Sequence, residues 1–298
     1  MSMLKKAANC VLGSNQSSTY PYGKGRVLAR LGRADVIRYA SGFVSPAALL
    51  DSFFEHALAR FCLIIITIAF SLGLSATSPA EVIREGPRGC KAVALTFDMC
   101  PVREGSGYDE PLVRTLIEKR IPATFCLSGR WIMKHDAEVK ALLGVPFFEV
   151  GTHGHVHAHL PELDEEQQRR EILGPVTMLR STYGRTVRLF RPPYGEYNEA
   201  TIHLAEILGL RFILWNVVSG DPDSHLSEAE IVRTIKSRAR SGNIIVMHAN
   251  GKGRHTRAVV DDLYDDLIVR QEYHAVTISA LLNECVSPHA YDGRSSDH

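Results

Sequence analysis

Short apolar runs alternate with amphipathic helical patterns along residues 92–278, and the runs are too uniformly apolar to leave a face in water. Strands of that kind belong in a parallel sheet covered by helices, because a parallel crossover needs a connection long enough to hold a helix. The pattern predicts strands over 92–97, 123–127, 145–151, 187–190, 212–217, 244–247 and 275–278. Between them it predicts helices over 111–119, 131–143, 164–183 and 259–270, with two more beginning after Asn198 and Ser227. Asp164 with Gln167, and Ser227 with Glu230, stand at the spacing at which an N-cap side chain and an N3 side chain exchange hydrogen bonds; Asn198 is a third cap. About seven strand–helix units in one domain of roughly 200 residues close most simply as a barrel, with room for irregularity.

The rest of the chain differs in kind. Residues 1 to about 58 show no sustained periodicity; an apolar run over 61–74 then follows Arg60 and precedes the small residues of 75–80. The run is short for a membrane span, which needs about 20 residues, and suits the apolar region of a secretory signal. Ser78 and Ala80 stand at the small-x-small spacing of a cleavage site. The expected organisation is a lead with a signal peptide or membrane anchor over 1–80, one α/β domain over 81–285 and a disordered tail over 286–298. Such a protein is exported, whether periplasmic, secreted or held at a membrane through 61–74, and a true start nearer Arg60 accounts for the long lead. A formal net charge of +1, without basic runs interleaved with aromatics, gives no electrostatic case for nucleic acid. Cys90, Cys100, Cys126 and Cys285 lack zinc-ribbon spacing; in an oxidising compartment they either pair or serve as small buried apolar groups.

Ligands in parallel folds gather where strands end, and here those ends are polar. His153 and His157 stand four apart just beyond a predicted strand. A helical turn starting there presents both imidazoles to one divalent cation and sends His155 and His159 the other way. Asp98 follows the first strand, Arg191 stands in a stiff Pro-Pro loop after the fourth, Asp221 lies beyond the fifth and His248 ends the sixth. Their convergence on one face points to a catalytic site rather than to separate caps and surface ion pairs.

Thr96-Phe97-Asp98, His153-x-x-x-His157, Arg191-Pro192-Pro193-Tyr194, Trp215 through Asp221, and Met247-His248 occur in one order. Together they resemble the five motifs of the polysaccharide deacetylases, the NodB-homology family-4 carbohydrate esterases, over nearly all of residues 91–285. The resemblance implies a distorted (β/α)7 barrel and metal-dependent removal of acetyl groups from N-acetylated glycans. It implies His153 and His157 as metal ligands, Asp98 as general base, His248 as general acid, Arg191 as a residue that orients Asp98, and the Tyr194 backbone N–H as an oxyanion donor. Amide hydrolysis fits these roles. A bound cation lowers the pKa of water, and a poor amine leaving group needs a proton. Paired imidazoles suit zinc, with cobalt or nickel as substitutes.

Two positions depart from the family pattern. A second Asp normally follows the base and completes the metal's protein ligands; here Met99 stands there, and a thioether is a weak ligand for a borderline cation. Asp98 itself, water, Asp109 or Cys100 fills the gap. The Asp that normally supports the catalytic His corresponds to Val218, which leaves Asp221 to partner His248 or Arg191. The expected function is deacetylation of an N-acetylglucosamine-containing polysaccharide or oligosaccharide, of the chitooligosaccharide or peptidoglycan type. The alternatives are a non-catalytic glycan-binding module on the same barrel and a hydrolase of another non-peptide amide.

Overall fold

A computed structural model describes residues 81–283; the predicted leader with its 61–74 run, and the tail, lie outside them. In chain order the strands are β1 (Val82–Ile83), β2 (Ala92–Met99), β3 (Ala123–Leu127), β4 (Phe148–Thr152), β5 (Leu189–Phe190), β6 (Arg211–Ile213), β7 (Val217–Val218), β8 (Asn243–His248) and β9 (His274–Val276). The helices are α1 (Glu110–Glu118), α2 (Gly129–Lys134), α3 (Asp136–Gly144), α4 (Glu165–Tyr183), α5 (Glu199–Ile207), α6 (Glu228–Arg238), α7 (Thr256–Leu263) and α8 (Ile278–Asn283). None of them is long and apolar enough to cross a membrane.

The strand ladders are parallel, in the order β1-β6-β5-β4-β3-β2-β8-β7. Strand β9 extends the edge of β2 that β3 occupies further along. β2 is buried along its whole length, and its two faces have separate tasks. Leu95, Phe97 and Met99 pack outward with the helix-side core, while Ala92 and Ala94 face an inner cluster with Ile83, Leu189, Ile213 and Ile244. Period-two alternation therefore carries Thr96 and Asp98 on the inner face. A single segment bridges the open side of the curled sheet. Ile83 pairs with Ile213 of β6; Glu85 then forms an antiparallel bridge to Asn243, and the Gly86 N–H donates to the Gly242 carbonyl at 2.8 Å. Gly242 adopts φ +86°, and a Cβ there would meet the Gly86 carbonyl, so glycine is required. The predicted distorted (β/α)7 barrel is the observed architecture.

The three predicted caps are present. Asp164, Asn198 and Ser227 each accept from the N3 backbone N–H and receive a reciprocal contact from the N3 side chain. Other boundaries shift. The predicted helix over 131–143 is two helices broken at His135, whose ring nitrogens lie 2.8 Å from the Trp131 carbonyl and 2.9 Å from the Ser106 carbonyl. The predicted strand over 212–217 divides into β6 and β7, because Leu214 donates to β1 and Asn216 to β8. The strand predicted over 145–151 begins only at Phe148, and the helix predicted over 259–270 starts at Thr256 and passes into a π-helical turn over Tyr264–Arg270. Cys90 is disulfide-bonded, whereas Cys100 and Cys126 are free and buried.

Candidate active site

The C-terminal ends of β2, β4, β7 and β8 surround a cleft lined by Asp98, Cys100, His153, His157, Tyr194, Trp215, Asp221 and His248. Arg191 lies beneath it, fully buried, and donates from Nη1 to Asp98 Oδ1 at 2.8 Å and from Nη2 to the Leu214 carbonyl at 3.4 Å. Every residue assigned a role from the sequence thus meets at one place. Burial alone would raise the Asp98 pKa, but His153, Arg191 and His248 outweigh it and hold the carboxyl below its usual range.

The histidine pair is not on a helical turn. Residues 153–159 form a loop in which Gly154 (φ +69°) and His157 (φ +66°) both take the left-handed conformation. That reversal breaks any helix yet still brings the two rings within 4.9 Å of each other. A buried carboxylate organises the loop. Glu171 of α4 accepts from the backbone N–H of His155 at 3.0 Å and of Val156 at 3.0 Å, with Ala158 at 3.5 Å. His153 Nδ1 lies 3.0 Å from the Arg191 carbonyl, which fixes Nδ1–H as the donor and leaves Nε2 facing the cleft, 3.6 Å from Asp98 Oδ2. His155 turns away and packs against Gly129 and Gly174. His159 pairs with Glu196 at 2.7 Å and stacks on Tyr194 at 4.1 Å.

On the opposite wall Asp221 holds His248 twice, accepting from its backbone N–H at 2.8 Å and from Nδ1 at 3.1 Å. Thr256 and Ser219 hydroxyls, each at 2.8 Å, fix the carboxylate. Asp221 is thus the partner of His248 and not of Arg191, while Val218 stands at the rim. Burial disfavours the charged imidazole, but the Asp221 hydrogen bond, followed by contacts with Cys100 and Asp98, raises the His248 pKa to about 10. The proton therefore resides on His248 at neutral pH, with Nε2–H free of Asp221. Tyr194 itself sits at φ +60°, a conformation that costs a non-glycine residue about 1 kcal/mol or more and that concentrates at functional sites.

Met99 is wholly buried on the helix side of β2, so its sulfur is not at the cleft. Asp109 caps α1 through the Leu112 N–H at 3.0 Å and is not among the cleft residues. Cys100 is: its sulfur and one ring nitrogen each of His153 and His157 all lie within 4.8 Å of one another. A thiolate and two imidazoles are a donor set that fits a zinc-like ion. Glu171 escaped the sequence reading because it stands in a run of charged helix residues, 165–171, with nothing local to set it apart.

Residues 85–213 match the sequence model of the polysaccharide deacetylase family. Over that span the chain is similar to the polysaccharide deacetylases. A peptidoglycan-N-acetylglucosamine deacetylase from Bacillus cereus is 28% identical over 200 residues, covering 66% of this chain and 91% of that one. A chitooligosaccharide deacetylase from Rhizobium leguminosarum is 25% identical over 167 residues, 55% of this chain and 71% of its own length. Among solved structures, a CE4 family pseudoenzyme from Bacillus anthracis superposes with a TM-score of 0.62 at 26% identity, covering 70% of each chain. The similar proteins thus include both named deacetylases and a pseudoenzyme.

Proposed function

We propose that this protein is a polysaccharide deacetylase: an exported, metal-dependent hydrolase that removes acetyl groups from N-acetylglucosamine-containing glycans of the peptidoglycan or chitooligosaccharide class. The observation that carries the reading is the opposition of an Arg191-paired Asp98 and an Asp221-paired His248 across a cleft that also holds His153 and His157. Such a pair separates the base from the acid, since neighbours keep one group ionised and the other protonated.

His153 and His157 hold a divalent ion, zinc by ligand preference. When bound, that ion lowers the pKa of water and polarises an acyl oxygen. Asp98 takes the proton of the attacking water, and Arg191 keeps its carboxylate oriented. His248 delivers a proton from Nε2 to the leaving amine nitrogen, and Asp221 keeps Nδ1–H in place. The Tyr194 backbone N–H donates to the developing oxyanion. The catalytic domain spans 81–285. Export is supported by the apolar run over 61–74 with its small-residue flank, by the disulfide-bonded state of Cys90, and by the glycan substrates of the named relatives.

A second reading, a non-catalytic glycan-binding module, draws support from the pseudoenzyme relative and from the displaced second Asp. Turnover of N-acetylglucosamine oligomers by wild type, Asp98→Asn and His248→Ala decides between the two. A catalyst loses on the order of 10²-fold or more in rate with either change. Oligomer binding without wild-type turnover makes the protein a binding module.

A further inference from the structure

Family members place a carboxylate immediately after the base, and this chain places Met99 there. The alternation of β2 shows why a side chain at position 99 cannot serve here. Phe97 and Met99 lie together in the helix-side core, while Thr96 and Asp98 face inward, so the next residue to return to the cleft is Cys100. The end of the strand is pinned on both sides of that residue. The Met99 carbonyl accepts from the Ser128 N–H at 3.3 Å and its hydroxyl at 3.0 Å, and the Cys100 carbonyl accepts from Asn250 Nδ2 at 3.0 Å. The thiol is thereby directed at His153 and His157, whose ligand atoms lie with it inside 4.8 Å. Donor atoms around a tetrahedral zinc stand about 3.5 Å apart, so small side-chain rotations close the set. Asp98 is committed through Oδ1 to Arg191 and is spared for base chemistry.

We propose that Cys100, as a thiolate, is the third protein ligand of a Cys-His-His metal centre, replacing the absent Asp from the next position along the strand. This rests on the reading that His153 and His157 hold a metal. On coordination the S–H proton passes to solvent and the sulfur contributes the single negative charge that the lost carboxylate would have carried. The softer donor selects zinc and cobalt over magnesium, calcium or manganese.

The test uses the full chain, reduced, freed of metal by chelation and loaded with cobalt(II). Wild type binds one cobalt per chain and shows a thiolate-to-cobalt charge-transfer band in the near ultraviolet. Cys100→Ser and Cys100→Asp lose the band, Cys126→Ser keeps it, and Cys100→Ser weakens cobalt binding by more than the roughly 10–100-fold typical of losing an outer-shell partner. Alkylation of Cys100 in wild type, read by peptide mass, is suppressed by cobalt and gives the same answer without a variant. Stoichiometric cobalt without a band, or a band that survives Cys100→Ser, overturns the cysteine ligand and leaves the histidine site standing. Wild type that binds no stoichiometric cobalt overturns the metal reading and this ligand with it.

Discussion

Truncating Glu171 tests whether the loop that carries His153 and His157 is held by a single buried carboxylate. Glu171 is 6% exposed and is met by backbone N–H groups of His155 and Val156 at 3.0 Å, with Ala158 at the limit of hydrogen bonding. Two charge-assisted hydrogen bonds contribute about 1.5–3 kcal/mol each, and their loss leaves two donors in need of water. Part of that loss is offset because the buried carboxylate's own desolvation disappears with it, so Glu171→Ala costs about 2–4 kcal/mol. For a domain of roughly 200 residues that lowers Tm by about 4–16 °C. Glu171→Gln keeps one acceptor oxygen and costs about half as much. Circular-dichroism melts of the metal-free chain measure the stability, and zinc titration of the same samples measures the consequence for the site. Zinc affinity falls by about 10–100-fold in Glu171→Ala, as when an outer-shell partner is removed. A melt within about 0.5 kcal/mol of wild type and an unchanged zinc affinity mean that Glu171 does not hold the loop.

Removing either member of the buried Asp98–Arg191 pair strands a charge. Arg191→Met alone costs about 3–5 kcal/mol, while Asp98→Asn with Arg191→Met costs clearly less than the sum of the two single changes; additive denaturation energies refute the coupling. Met99→Asp destabilises by about 3–5 kcal/mol, because it empties a core position and places a carboxylate there, and it leaves the zinc stoichiometry as it was; tighter zinc binding in a well-folded variant contradicts the core placement. Hydrogen bonds from Arg240, then Arg88 and Asn216, lower the Glu85 pKa from 4.5 to about 2. The ionised form is therefore favoured by folding; its contribution is present above pH 4.5 and is lost as pH falls through 2. Wild type should lose more stability than Glu85→Gln over that window in acid denaturation, and parallel curves rule out a role for this carboxylate in closing the barrel.

Much of the architecture is legible in the chain because local and global signals agree. The apolar strands, the capping side chains at Asp164, Asn198 and Ser227, and the polar residues at strand ends each point to a parallel barrel with one active face. What the sequence does not reveal depends on contacts distant in the chain. Four-residue spacing suggests a helical turn for His153 and His157, but Gly154 and His157 at positive φ, with Glu171 gathering the intervening N–H groups, build a loop with the same convergence. Apolar periodicity runs through 131–143 without a break, whereas the His135 ring is drawn to the Ser106 carbonyl and the helix restarts after it. The side of β2 on which Met99 falls, and hence the importance of Cys100, follows from strand alternation fixed by register against β3 and β8.

Acetate release is the direct readout of metal-dependent deacetylation by this protein. The full chain is freed of metal, offered N-acetylglucosamine oligomers, and assayed for acetate and free amine before and after zinc is restored. One amine per acetate, negligible release without metal, and recovery on adding one equivalent of zinc are the predicted results. A folded protein with stoichiometric zinc that releases no acetate from these oligomers is not a deacetylase of this glycan class.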